Sequence, residues 1–179
     1  MKIIVDAMGG DNAPLEIVRG ALNAARARQN LEIILVGREE AVRGAMAQCG
    51  NVPGNVSVVN ATEVIDMHDD PATAFKVKKD SSITVGLTLL KNGEGDAFVS
   101  AGSTGALLSA GTLLIKRVRG IRRAAMAPVI PTAGGQAVLI DCGANAECTV
   151  EYLMQFAYLG SFYASRVLGL AKPRVGLLN

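Results

Sequence analysis

Short apolar runs alternate with amphipathic stretches along almost the whole chain, and that alternation restricts the fold more than any other feature. The runs Lys2–Asp6, Glu32–Val36, Val56–Val59, Ala97–Ser100, Ala127–Ile130, Ala137–Asp141 and Arg174–Leu178 are rich in Val and Ile and largely lack a period of two. Strands buried on both faces read this way. Between them, Pro14–Gln29, Glu39–Cys49, Ala72–Asn92, Thr104–Arg117 and Thr149–Leu168 carry helical spacing. Pro14 stands at a first-turn position that tolerates its missing N–H, and Pro53, Pro71, Pro128, Pro131 and Pro173 also avoid helix interiors. Strand and helix in turn predict βαβ units and an α/β fold with a parallel or mostly parallel sheet. At 179 residues, one domain spanning 1–179 has enough chain for its own core.

The chemistry concentrates where strands end. Ser100-Ala-Gly-Ser-Thr-Gly-Ala106 follows the apolar run Asp96-Ala-Phe-Val99 and opens a helix at Thr104. Small side chains there let an anion approach the backbone, and Gly102 and Gly105 are expected to supply dihedrals other residues resist. Unpaired N–H groups at the helix start, with the helix dipole, favour negative charge. A similar junction follows Ile3-Ile-Val5, where Asp6-Ala-Met-Gly-Gly-Asp11 places Gly9 and Gly10 between two carboxylates. It also reads as a plain turn in which Asp11 or Asn12 caps the next helix. Asp141-Cys-Gly-Ala-Asn145 is a third strand-to-loop junction, with a carboxylate at a strand end and an amide able to donate to a carbonyl or phosphate oxygen. Loops of this kind at the carboxyl ends of parallel strands are expected to converge on one phosphate site.

Other clusters are less specific. Lys76-Val-Lys-Lys-Asp-Ser-Ser82 falls inside the predicted helix Ala72–Asn92, where Lys78 and Lys79 could face an anion and Ser81 and Ser82 add hydroxyl donors. Paired serines are poor helix formers, so an exposed lysine face is the plainer alternative. Lys116, Arg117, Arg119, Arg122 and Arg123 make a basic run suited to an acidic partner protein. His68 is the only histidine, and its acidic neighbours invite an acid–base role although a lone loop histidine is more often incidental. Asp69 or Asp70, just before Pro71, is expected to cap a helix. The stretch Thr149–Leu168 gathers Tyr152, Phe156, Tyr158, Phe162 and Tyr163 and is apolar nearly all round. Core packing is its first reading and a homodimer surface its second.

Composition narrows the class. Half the residues are hydrophobic, aromatics are 4% and there are 20 glycines, which fits an α/β enzyme better than a disulfide scaffold or a disordered chain. A net charge of +2 is too small for wholesale nucleic-acid binding. The 3 cysteines, Cys49, Cys142 and Cys148, lack the paired spacing of a metal site, and neither Cys142 nor Cys148 has a histidine close by for thiol catalysis. The apolar start Met1–Val5 is cut short by Asp6, and no run approaches the length that spans a bilayer. These features read as a soluble protein of the reducing cytoplasm. Pro173-Arg-Val-Gly-Leu-Leu-Asn179 reads as a strand arriving at the sheet, so the chain is expected to be the N-terminal part of a longer protein.

Taken in order, Asp6-Ala-Met-Gly-Gly-Asp11, Lys78-Lys-Asp-Ser-Ser82, Ser100–Ala106, Asp141-x-Gly-Ala-Asn145 and Pro173–Asn179 closely resemble the bacterial PlsX family of phosphate acyltransferases. The resemblance implies transfer of a fatty acyl group from acyl carrier protein to inorganic phosphate, giving acyl phosphate for phospholipid synthesis. It also implies a Rossmann-like three-layer α/β/α fold of the isocitrate/isopropylmalate dehydrogenase kind, a homodimer, and peripheral association with the cytoplasmic membrane face. The chain departs from the family in having Ser103 where asparagine is usual, and family members are much longer.

Under that resemblance, the Gly9-Gly10 and Ala101–Gly105 loops hold phosphate, with Gly102 and Gly105 as backbone and Ser103, Thr104 and Ser82 as donors. Lys78 supplies the charge, Asp6, Asp11 and Asp141 orient these groups, and Asn145 points at the thioester carbonyl. Phosphate is itself the nucleophile and a thiolate leaves readily, so the resemblance implies no metal and no cofactor. Lys116, Arg117, Arg119, Arg122 and Arg123 dock the carrier protein. Two other classes share these features. One is a phosphotransacetylase-like or dehydrogenase-like enzyme, although the first glycine turn lacks the G-x-G-x-x-G order of a dinucleotide site. The other is a non-catalytic binder of acyl carrier protein or acyl phosphate.

Overall fold

A computed structural model describes residues 1–178. It divides into two compact units, Met1–Lys116 and the segment from Arg117 onward. The first unit holds β1 (Lys2–Asp6), α1 (Leu15–Ala27), β2 (Glu32–Gly37), α2 (Glu39–Gln48), β3 (Val56–Asn60), α3 (Ala74–Val77), α4 (Ser82–Lys91), β4 (Ala97–Val99) and α5 (Thr104–Ala110).

Its four strands form one sheet in the order β3-β2-β1-β4, and every pair is parallel. Alternate residues of the same strands feed opposite faces. Val5, Ile33 and Leu35 pack against Val18, Leu22 and Ala25 of α1 and Val42 and Met46 of α2. Ile4, Ile34 and Val36 face the other way, against Val85 and Leu89 of α4. The unit is therefore a three-layer α/β/α sandwich whose central strands are apolar on both sides, which is why they lack two-residue alternation. The chain runs outward from β1 to β3 and then returns to place β4 on the far side of β1. Loops leaving β1 and β4 thus part to opposite faces, the switch point where open α/β sheets bind ligands.

Two predicted helices are shorter than their apolar spacing suggests. Ala72–Asn92 is broken between α3 and α4, because the Ser81 hydroxyl accepts from the Thr84 N–H at 3.3 Å and starts a new helix there. Lys78 and Lys79 consequently lie in the connection between helices. The helix opening at Thr104 widens at Gly111, with Lys116 N–H donating five residues back to Gly111, and stops at Ile115. Lys116 then turns the chain at φ +74°.

In the second unit, β5 (Val129–Thr132) and β6 (Gly135–Val138) form an antiparallel hairpin, and α6 spans Val150–Arg166. The runs Ala127–Ile130 and Ala137–Asp141 do pair, but not as parallel strands, because the two residues between Thr132 and Gly135 are far too few for a crossover. Leu139 N–H to Pro128 O at 3.0 Å and Cys142 N–H to Met126 O at 3.1 Å extend the ladder beyond the named strands. Thr149 caps α6 through the Tyr152 N–H. Arg174–Leu178, read as a strand, has no strand partner among the described residues and is exposed apart from its neighbour Pro173.

Candidate functional site

Asp6 closes β1 and is 1% exposed. One carboxylate oxygen, Oδ1, accepts the Met8 N–H at 3.1 Å. The other, Oδ2, accepts the Ser100 hydroxyl at 2.6 Å, and Ser100 Oγ in turn accepts the Gly102 N–H at 3.0 Å. A partly buried chain of hydrogen bonds therefore joins the loop after β1 to the loop after β4. Within it the backbones nearly touch. A Cβ on Gly9 would lie 2.5 Å from Asp6 Oδ2 and 2.7 Å from Gly102 N, and one on Gly102 would lie 3.2 Å from Gly9 Cα. Gly10, at φ +108° beside Ala101, holds a conformation that side chains rarely adopt.

These contacts revise the reading of the glycines. Gly102 and Gly105 do not sit in the left-handed region; they are needed for close approach. At Gly105 a Cβ would meet Pro71 Cβ at 2.9 Å, so the loop before α3 rests on the first turn of α5. Ser103 caps α5, its hydroxyl accepting the Ala106 N–H at 3.4 Å while its carbonyl takes the Leu107 N–H at 2.9 Å. The Thr104 and Gly105 amides come ahead of that ladder and have no intrahelical partner. Ser103 is buried and its hydroxyl oxygen accepts in the cap, which leaves its hydrogen to donate, whereas Thr104, Asp11, Gly10 and Ala101 are exposed. Neither Asp11 nor Asn12 caps α1, whose cap position is Pro14 with no side-chain bond.

Lys78 is not a free cation. Its Nζ donates to Val64 O at 2.8 Å and to Asp69 Oδ2, and the side chains of this ion pair are only about a quarter exposed. The Lys78 hydrogen bond, helped by the Asp66 N–H, holds the Asp69 carboxyl below the ordinary carboxylate range. Two of the three ammonium hydrogens are thereby committed, and one remains. Neither Asp69 nor Asp70 caps the helix, whose cap position is Thr73 with no side-chain bond; Asp70 instead closes the preceding turn, accepting the Thr73 hydroxyl and the Ala72 N–H. Those two bonds, the hydroxyl first, also lower the Asp70 pKa. Ser82, expected as a donor, is 2% exposed inside the first turn of α4. His68 is exposed, and its backbone N–H donates to Asp66.

In the second unit, Asp141 organises its own loop. Oδ1 accepts the Met126 N–H at 2.7 Å, and Oδ2 accepts both the Asn145 N–H at 2.7 Å and its Nδ2 at 3.0 Å. Asn145 Nδ2 also donates to Ala124 O at 3.0 Å. Both side-chain hydrogens of Asn145 are thus taken, so the donor expected to face a carbonyl has only its Oδ1, an acceptor, to offer. The basic run is divided too. Arg122 pairs with Glu151 at 2.9 Å and Arg123 lies 5.7 Å from the centroid of the Tyr152 ring, which ties both to the start of α6. Arg117 and Arg119 are exposed. Along α6, Phe156 and Ala164 are buried, but Val150, Met154, Tyr158 and Phe162, spaced four apart, are exposed. Core packing therefore does not account for that stripe.

The parts the residue types alone did not disclose are Ser100, Asp69 and Pro71. A signal existed for the first. β1 and β4 pair with Val5 opposite Val99, so the next residues, Asp6 and Ser100, fall side by side. A hollow of about 390 Å³ lined by Met1, Arg28, Asn30 and Leu31 lies at the amino end of β1, the edge away from these loops.

Comparison with known proteins places this geometry in context. The model of a family described as fatty acid synthesis protein matches residues 1–179. The phosphate acyltransferase of Desulfitobacterium hafniense (strain DSM 10664 / DCB-2) is 50% identical over 179 residues, 100% of this chain and 53% of that one. The phosphate acyltransferase of Caldanaerobacter subterraneus subsp. tengcongensis is 46% identical over the same span, again 53% of its length. That of Magnetococcus marinus is 46% identical and covered to 51%. The chain spans about half the length of the curated relatives it matches. Among solved structures, a phosphotransacetylase from Streptococcus pyogenes superposes with a TM-score of 0.69 at 22% identity, over 95% of this chain and 55% of that one. The EutD phosphotransacetylase from Staphylococcus aureus gives 0.67 at 22%, over 95% and 54%. Identity that low speaks for the fold alone.

Proposed function

The chain belongs to the fatty acid synthesis protein family, and from that membership we propose that it handles phosphate in the transfer of a fatty acyl group from acyl carrier protein to inorganic phosphate. The observation that carries the reading is the pair of glycine loops held together at the β1–β4 switch point through Asp6, Ser100 and Gly102. The coarse fold supports it, and we take its finer kinship to be with the isocitrate/isopropylmalate dehydrogenase arrangement.

A phosphate oxygen attacks the thioester carbonyl, a C–O bond forms, and the C–S bond breaks as the tetrahedral intermediate collapses. The thiolate departs without strong acid help, because it is a far weaker base than an alkoxide. Catalysis is then mostly positioning and charge stabilisation. The Thr104 and Gly105 amides, the Thr104 hydroxyl and the Gly9-Gly10 backbone cradle the phosphate. The remaining Lys78 hydrogen adds charge-assisted donation, with Asp69 holding the ammonium in place. Asp11, exposed and unused by any cap, accepts from a protonated phosphate oxygen. Asp6 acts through Ser100. Asp141 and Asn145 shape the loop of the second unit that carries them.

Arg117 and Arg119, exposed beside Lys116, suit the acidic surface of a carrier protein. The stripe Val150–Met154–Tyr158–Phe162 suits a homodimer contact. None of the described helices is long and apolar enough to cross a membrane; we place the protein in the cytoplasm, touching the membrane face peripherally. A second reading, phosphotransacetylase-like transfer from a small acyl thioester, would use the same strand-end glycine loops.

The deciding experiment incubates the chain with palmitoyl acyl carrier protein or acetyl-coenzyme A, with and without phosphate, and follows acyl phosphate by mass spectrometry. Phosphate-dependent palmitoyl phosphate is expected. Acetyl phosphate alone would favour the second reading, and no phosphate-dependent product would overturn both.

A further inference from the structure

We infer that Ser100 is a positioning residue for the phosphate cradle: one hydroxyl fixes the spacing of the two glycine loops and decides which backbone amides stay open to an anion. The inference rests on the phosphate site proposed above and assigns a residue that touches no reacting atom.

The hydroxyl has one hydrogen, and Asp6 Oδ2 takes it at 2.6 Å. Its lone pairs are left for the Gly102 N–H at 3.0 Å. Gly102 N–H is thereby withdrawn from any ligand, while the Thr104 and Gly105 amides, in the first turn of α5, stay open ahead of its ladder. Asp6 is 1% exposed and, among the described residues, accepts one bond from the Met8 N–H and one from the Ser100 hydroxyl, so Ser100 supplies half of the hydrogen bonding of this enclosed carboxylate. A buried carboxylate deprived of a donor reorganises its surroundings. Those surroundings are Gly9 and Gly102, already at closest approach, with no room for even a methyl group on Gly9. Loss of the hydroxyl therefore frees the Gly102 amide, loosens Asp6 and shifts Gly9-Gly10 relative to Ala101–Gly105 in one event. The single hydrogen of Ser100 is spent on Asp6, so it has no donor left for a phosphate oxygen, which separates its role from that of Thr104.

The test compares the wild-type chain with Ser100→Ala, Ser100→Cys and Ser100→Thr. Affinity for inorganic phosphate is read by 31P NMR titration, and amide hydrogen exchange is read over residues 7–10 and 100–105. Ser100→Ala is expected to weaken phosphate binding roughly tenfold, equivalent to about 1.4 kcal/mol, and to speed exchange in both loops together. Ser100→Cys, keeping the volume with a weaker donor, should fall between, which preserves a reading if the alanine variant does not fold. Ser100→Thr, keeping the hydroxyl, should restore most of the affinity. Unchanged phosphate affinity in Ser100→Ala, or faster exchange confined to 100–105, would overturn the positioning role while leaving the phosphate site standing. A wild-type chain that does not bind phosphate would overturn the site and the role together.

Discussion

Lys78 reaches back to Asp69 and to the carbonyl of Val64, so one ammonium closes the segment between β3 and α4. That segment also bears on the first turn of α5 through Pro71 and Gly105. A residue expected to present free charge to an anion thus serves the architecture of the loop as well.

Replacing Lys78 with Met should return the Asp69 carboxyl toward its ordinary value of 3.8. The sign follows from the depressed folded-state pKa. The pair stabilises the fold above the unfolded value, and that stability is lost as pH falls through the folded one. Chemical denaturation of wild type should therefore show a decline below pH about 4 that Lys78→Met lacks in part. Identical pH dependence in the two proteins would remove the pair from the acid response. Assayed for turnover, Lys78→Met should also need far more phosphate for half-maximal rate.

Gly9→Ala should be costly and Gly20→Ala should not. A methyl group on Gly9 lands within 2.7 Å of both Asp6 Oδ2 and Gly102 N, whereas nothing lies within 4 Å of one on Gly20. Overpacking of this kind costs about 1–3 kcal/mol. Gly20 lies within α1, where alanine should add about 0.4–1 kcal/mol. Urea titrations of the two variants should move their midpoints in opposite directions. Equal midpoints would mean the loops can part without penalty.

Ser81→Ala should lower stability by about 1 kcal/mol, the usual loss for a helix cap. Its hydroxyl caps α4 at Thr84 and also lies 2.8 Å from Thr84 Oγ1, in a wholly buried setting. Amide exchange at Thr84 and Val85 should rise with the loss. Unchanged protection there would show that the break between α3 and α4 survives without its cap.

Reversing charge at Arg117 and Arg119 should leave thermal stability near wild type, since both are exposed. Transfer from a carrier-protein thioester should drop while transfer from a small thioester holds. Arg122→Glu differs, because it also sets a carboxylate against Glu151. Breaking an exposed pair is worth at most about 1 kcal/mol. If Arg117/Arg119 reversal affects both donors alike, carrier docking lies elsewhere.

Much of this arrangement can be read from residue types, and the limits are physical. β1, β2 and β3 begin where the Val- and Ile-rich runs begin, because burial on both faces leaves an unbroken apolar signature. Asp6, Gly9, Gly10 and Gly102 stand out because polar and flexible residues interrupt such runs abruptly. Ala72–Asn92 misleads because its apolar spacing continues across the break, and only the bond from Ser81 to Thr84 reveals a new start. Pairing direction for β5 and β6 is legible only through the connection length, not through the strands themselves. Asp69 could equally cap a helix or meet a lysine, and the choice depends on how far the Lys78 side chain reaches. For Asn145, residue type suggests a donor, but its hydrogens are consumed by Asp141 and Ala124 within the loop.

Because Val5 lies opposite Val99, the separation of Asp6 from Ser100 is measured out by the hydrogen-bond ladder between β1 and β4. The sheet serves as the ruler for the loops it carries. A single residue inserted into β4 would rotate every side chain beyond it to the other face and carry Ser100 away from Asp6. An insertion among the exposed residues Asp11 and Asn12 would leave that measure intact. Tolerance to length change should therefore drop abruptly from the outer loop to the strand end, so a scan of single-residue insertions would trace the site's boundary without any ligand.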